Sequence, residues 1–177
     1  RDLAPDTGAV CRIGGVMGLH RTRKEMPRGQ DVGFGYFVAS IVQAIKAGNE
    51  FTVWTGERVN QIATPSLASE IGAQIARIID LKLAGTFHLV CDEAVTRMEL
   101  AELTCEIFGL DSRKLRIGEP PEEALFPSGV PIDSSLSNRE TKKRLQLGPA
   151  SLEDLLNSFK VEWETGNVAP LTKRLVR

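Results

Sequence analysis

Apolar positions along this chain follow two rhythms that take turns. Phe34, Phe37, Val38, Ile41, Val42 and Ile45 recur at three- and four-residue steps, the spacing that gathers side chains on one face of a helix. Gly48 follows and suits the left-handed turn that ends such a helix. Leu67, Ile71, Ile75, Ile78 and Ile79 repeat the pattern over residues 65–81, so this helix is expected to be anchored in a core by that face. Short apolar runs at Ala9–Ile13, 51–55 and 86–90 read as strands, the first of them buried, with a shorter one at 114–117.

Punctuation sharpens the helix ends. Thr64 stands where an N-cap is expected, and Pro65 fits the first helical position because its missing N–H has no helical partner to lose. Thr96-Arg97-Met98-Glu99 has the form of a capping box, predicting a helix from there to Phe108 that Gly109 closes. Two more helices are predicted at 138–145 and 151–163, the second with Leu152, Leu155, Leu156 and Phe159 on one face. Residues 119–131 are rich in proline and acids and read as loop, and a polar tail follows from Glu164. Strands that alternate with helices predict an α/β fold, without internal repeats.

Composition narrows the class of function. The 22 Lys and Arg nearly balance 23 Asp and Glu, so neither nucleic acid nor an anionic membrane is an expected partner, and any anion site must be local. No run reaches the length of a membrane span. Cys11, Cys91 and Cys105 lie in apolar stretches without metal or redox spacing, which predicts reduced, buried thiols and a cytoplasmic setting.

Candidate chemistry concentrates in loops. Gly14-Gly15-Val16-Met17-Gly18 follows a strand but is not a dinucleotide fingerprint, since no helix start follows within a turn. It reads better as a loop whose backbone a ligand approaches closely. The stretch from Leu19 to Gly35 is long and irregular and carries Arg21, Arg23, Lys24 and Arg28. Those cations either neutralise a diphosphate or are simply solvated. Asn60 and Gln61 bring two side-chain amides beside the predicted helix start at Thr64, a setting that suits anionic or hydrogen-bond-accepting ligands. His20 and His88 are the only histidines, with no third ligand nearby, so no metal site is expected and His88 reads as a satisfied strand residue. Glu122 and Glu123 read as solvated loop charge, and no serine stands in a nucleophile-elbow context.

Taken in order, Arg12-Ile-Gly-Gly-Val-Met-Gly18, the helix at Phe37-Val38, Asn60-Gln61-Ile-Ala-Thr-Pro-Ser66, Gly85-Thr-Phe-His-Leu-Val90 and Ser134-Ser-Leu136 resemble the C-terminal half of extended short-chain dehydrogenase/reductases, most closely the dTDP-4-dehydrorhamnose reductase group. The resemblance covers nearly the whole chain. It implies a Rossmann-type α/β fold of which this chain is the substrate-binding part, the N-terminal cofactor-binding part being absent. Residues 1–18 would then be the last strand and loop of the Rossmann-type sheet, 19–163 a substrate-binding subdomain and 164–177 a polar tail. Arg1 to Ala4, before Pro5, would correspond to the end of a helix that begins outside the chain.

The resemblance further implies a nucleotide-sugar ligand, with Gly14 and Gly15 near the reacting sugar and Phe37, Gln61 and Thr64 toward the nucleotide. NADP or NAD would serve the parent protein, and a homodimer is possible. The family departs from this chain at three places: its aromatic before Val16 is Gly15 here, its Val-Tyr-Gly tyrosine is Met17, and its arginine before Pro131 is Val130. The family's Tyr-x-x-x-Lys pair is missing as well, since the only tyrosine, Tyr36, is followed four residues later by Ser40. A non-catalytic protein similar to the regulatory beta subunit of methionine adenosyltransferase is therefore a competing expectation, and a sugar-nucleotide epimerase or dehydratase a third.

Overall fold

The computed structural model describes residues 8–19 and 29–167. Four pairs of strands and five α-helices make up the described residues. Strand β1 (Ala9–Ile13) pairs in parallel with β6 (Gly85–Leu89), Ala9 opposite Gly85 and Ile13 opposite Leu89. The two-residue strands β2 (Val16–Met17) and β5 (Ser66–Leu67) are also parallel, as are β3 (Phe51–Trp54) and β8 (Leu115–Gly118). An antiparallel pair, β4 (Ile62–Ala63) with β7 (Val95–Thr96), completes the set. The α/β expectation holds, and the parallel pairs need the helical crossovers that separate them in sequence.

Helix α1 (Phe37–Lys46) packs against α3 (Arg97–Phe108), and α3 against α5 (Leu152–Thr165). Their shared core holds Ile41, Val42, Leu100, Leu155 and Phe159, with the rings of Phe108, Phe159 and Trp163 in contact at 5.8–5.9 Å between neighbouring centroids. A smaller cluster of Ile78, Phe87, Leu89 and Leu145 joins α2 (Ala68–Asp80) and α4 (Arg139–Leu145) to β6. The Thr96–Glu99 capping box is present in both its halves, and Gly109 closes α3 at φ 64°. Helix α5 continues past Glu164 to Thr165, so the expected start of the tail falls inside its last turn.

Three expectations are corrected. Helix α2 starts at Ala68, and its N-cap position, Leu67, has no capping side chain. Ser66 and Leu67 are instead drawn into extended pairing with Val16 and Met17, which delays the helix, and the Thr64 hydroxyl turns to Leu136. The predicted apolar face of α2 is only partly buried: Leu67 and Ile78 are, whereas Ile75 and Ile79 are 37% and 67% exposed. Strand β1 is likewise not buried: Val10 and Ile13 are among the exposed apolar residues, and its pairing among the described residues is with β6 alone. Of the thiols, Cys91 and Cys105 are buried and Cys11 half-buried, all free. Burial pushes Cys91 up to about 12 and Cys105 to about 11, so both stay protonated and inert at neutral pH.

The end of β6 is tied to the last two helices through one carboxylate. Asp92 accepts from Lys142 Nζ at 2.8 Å, Asn138 Nδ2 at 2.7 Å and the Ala150 amide at 3.0 Å. Burial alone would raise its carboxyl, but these donors outweigh burial and hold it below the ordinary carboxylate range. A group depressed in the folded state stabilises above its unfolded value, about 3.9, and that contribution is lost as pH falls through the lower folded value. Asp92→Asn is therefore expected to flatten the fall in melting temperature below about pH 4. An unchanged acid limb in calorimetric melts would contradict this.

Candidate functional site

A cleft of about 570 Å³ lies where four loops converge beside the main core. One wall is the β1–β2 connection, from Gly14 to Leu19. Facing it is the irregular segment that leads into α1, contributing Asp31, Gly33, Phe34, Gly35 and Tyr36. Asn60 and Ala68 form the back, and Phe126, Val130, Pro131 and Ser134 the remaining side. Among the described lining residues Asp31 is the one charged group.

Each wall is fixed by contacts the sequence places far apart. Asn60 donates through Nδ2 to the carbonyls of Pro131 and Ile132 at 2.6 and 3.1 Å, and its Oδ1 accepts from the Ser134 hydroxyl at 2.9 Å. Its amide N–H donates to the Val32 carbonyl at 2.8 Å, linking the opposite wall. The Thr64 hydroxyl exchanges two hydrogen bonds with the Leu136 backbone, donating at 3.1 Å and accepting at 2.9 Å. Two of the sequence motifs, Asn60 to Ser66 and Ser134 to Leu136, are thus one hydrogen-bonded unit.

The glycines of the first wall lie flush against the protein itself. A Cβ on Gly14 would fall 2.0 Å from the Thr64 carbonyl oxygen, and one on Gly15 2.5 Å from Phe34 Cβ. The close approach expected at this loop is made, on these faces, by the chain's own atoms. Their other faces line the cleft.

Of the five residues singled out from the sequence, only these two glycines reach the cleft. Phe37 is 1% exposed and sits in the core with its ring edge-on to Phe34 and Phe51, both at 5.7 Å. Thr64 is buried behind the back wall. Gln61 points away, its amide donating to the Val59 carbonyl at 3.2 Å. The four loop cations Arg21, Arg23, Lys24 and Arg28, together with His20, lie outside the described residues. His88 is a satisfied strand residue, its amide donating to the Thr141 hydroxyl at 2.8 Å and its Nδ1 2.9 Å from the Ser137 carbonyl. Glu122 pairs with Arg58 on the surface. Among the described residues no group of three or more His, Cys, Asp and Glu is placed to hold a metal ion, and no helix is long and apolar enough to cross a membrane.

One residue of the site went unseen in the sequence. Arg97, the first residue of α3, is 1% exposed and reaches under the Asp31–Tyr36 wall. Burial lowers its guanidinium to about 10, against the opposing effect of Asp31, which leaves it charged at neutral pH. A signal was available: a cation in the first turn of a helix opposes the helix dipole, so an arginine inside a capping box calls for another partner.

No family model matches the chain. A probable low-salt glycan biosynthesis reductase of Haloferax volcanii is 30% identical over 160 residues, covering 90% of this chain and 49% of that protein. The dTDP-4-dehydrorhamnose reductase of Bacillus anthracis, solved in complex with NADP, superposes with a TM-score of 0.65 at 18% identity, over 87% of this chain and 48% of that one. The UDP-glucose 4-epimerase of Thermus thermophilus, solved with NAD, gives 0.65 at 15% identity, over 90% and 47%. The chain spans about half the length of these relatives. In the succession of its motifs and in its fold the chain resembles the extended short-chain dehydrogenase/reductases, the dTDP-4-dehydrorhamnose reductases among them, and it is similar in sequence to a glycan biosynthesis reductase.

Proposed function

We propose that this chain forms the nucleotide-sugar-binding part of an NAD(P)H-dependent reductase acting on a keto-sugar nucleotide. The observation that carries the reading is the cleft: the motifs shared in order with the reductase group, Gly14 to Gly18, Asn60 to Ser66 and Ser134 to Leu136, converge on it or brace its walls. Gly14 and Gly15 would face the sugar, while Phe37 and Thr64 act from behind the walls and Gln61 from their margin. Backbone groups and the Ser134 hydroxyl suit the hydroxyl-rich part of such a ligand.

The described residues do not make a cofactor cradle. Gly14 and Gly15 are already filled against by Thr64 and Phe34, and the helix that glycines do precede, α1 after Gly33 and Gly35, has no strand in residues 29–36 leading into it. No hydride step is therefore derived from them, and NADP or NAD is assigned to the parent protein alone. The non-catalytic reading, a binding or regulatory protein, draws on one observation: the described lining offers no cation for a diphosphate, with valine at position 130.

Turnover separates the two. The complete gene product containing this chain is expected to oxidise NADPH in the presence of a dTDP-linked 4-keto-sugar, and dTDP or UDP is expected to raise its melting temperature. Stabilisation by a nucleotide without turnover would favour the regulatory reading. No stabilisation by either nucleotide would remove the sugar-nucleotide site itself.

A further inference from the structure

Among the described residues Arg97 is the largest of the fully buried side chains, and its position is unfavourable on two counts. It brings a cation to the positive end of α3, and it takes that cation out of water. What the guanidinium holds is not the core but irregular backbone. Nη2 donates to the Asp31 carbonyl at 2.9 Å and to Gln30 Oε1 at 3.2 Å, while Nη1 donates to the Gly33 carbonyl and, at 3.3 Å, to that of Asn60. The guanidinium also stands over two rings, with Cζ 5.0 Å from the Phe34 centroid and 4.6 Å from that of Phe37. Nε finds no hydrogen-bond partner.

The segment so held has no helix or strand of its own between Gln30 and Phe34, and its far side is the cleft. Gln30 extends the brace by donating to the Thr52 carbonyl at 2.6 Å. Phe34, in turn, touches the opposite wall at Gly15, so its position sets how far apart the two walls stand. Lysine cannot do this work: it offers a compact charge without a planar fork of donors.

We propose that Arg97 is a positioning residue for the cleft, whose guanidinium fixes the Gln30–Phe34 wall so that ligand affinity, and not folding alone, depends on it. The inference rests on the sugar-nucleotide reading for the identity of the ligand, but not for the existence of the brace.

Arg97→Lys in the complete gene product is expected to weaken dTDP and UDP binding in calorimetry by roughly tenfold or more, since small displacements of a binding wall are costly. Amide exchange at residues 31–36 is expected to accelerate while α5 and β6 keep their protection. Wild-type affinity in the variant overturns the proposal, as does an acceleration spread evenly over the whole fold, which marks a merely structural role. If Arg97→Lys does not fold, Gln30→Ala removes one acceptor and is expected to give about threefold weaker binding with local acceleration at 31–36; unchanged affinity or unchanged exchange there overturns it equally. If the wild-type protein binds neither nucleotide, the sugar-nucleotide reading fails, and exchange at 31–36 alone decides whether the brace exists.

Discussion

Gly14→Ala is expected to cost about 3 kcal/mol or more of folding stability, a large loss for one methyl group. The added Cβ would stand 2.0 Å from the Thr64 carbonyl oxygen and 3.1 Å from both the Thr64 carbonyl carbon and Val90 Cγ1. Backbone on that side has little room to retreat. Thr64 is 1% exposed and its hydroxyl is engaged twice with Leu136, and the next carbonyl, of Pro65, accepts from the Cys91 amide at 2.8 Å. Relief would require parting the β1–β2 connection from the Thr64 turn, which is buried behind the cleft. Gly72→Ala supplies the control: it lies within α2, where a Cβ meets nothing within 4 Å, and alanine there is expected to stabilise by up to about 1 kcal/mol. Urea midpoints of the two variants should move in opposite directions. Equal stability of Gly14→Ala and the wild type would show that the Thr64 turn yields freely.

Such a contact marks the boundary of what the sequence makes legible. Helix α3 was readable at both ends because its signals are local: Thr96 and Glu99 cap each other within one turn, and Gly109 adopts the left-handed turn immediately after. Helix α2 carried equally clear local signals at Thr64 and Pro65 but obeyed a distant one, the pairing of Ser66 and Leu67 with Val16 and Met17 some fifty residues earlier. Periodicity has a related blind spot. It identified which side of α2 is apolar, yet it carries no information on what covers that side, and Ile75 and Ile79 remain exposed.

The site was legible in its order more than in its parts. Gly14 and Gly15 do line the cleft, but a glycine in sequence does not say whose atoms approach it, and here Thr64 and Phe34 do so. Phe37, expected toward the nucleotide, stands behind a wall of the cleft, edge-on to Phe34. Arg97 was hidden because a capping box explains Thr96 and Glu99 fully and leaves the residue between them looking incidental. Asn60 was placed beside a helix end, whereas its three side-chain hydrogen bonds run to residues 131, 132 and 134, a separation at which sequence pattern is silent.

Thr64→Val tests the joint between those motifs and is expected to cost about 2 kcal/mol, because a side chain of the same shape leaves the Leu136 N–H and carbonyl without their partner in a half-buried position. Thr64→Ser keeps the hydroxyl and removes one buried methyl, for about 0.8 kcal/mol. Stability alone does not distinguish this joint from a helix cap, since a cap would rank the two variants in the same order. Amide exchange does. If Thr64 joins Leu136, Thr64→Val accelerates exchange of the Leu136 amide and leaves the first turn of α2 as it was. If Thr64 caps the helix, the acceleration falls on the amides just after Pro65 instead. Leu136 stands two residues beyond Ser134, which lines the cleft and bonds Asn60, so the loosened segment should also weaken dTDP binding while Thr64→Ser leaves it close to wild type. Loss of stability with full retention of ligand affinity would mean that the joint supports the fold without shaping the cleft, the 131–134 wall then being held by Asn60 and by the backbone hydrogen bonds that Gln61 and Ile62 donate to Ile132 and that Ser134 donates to Ile62.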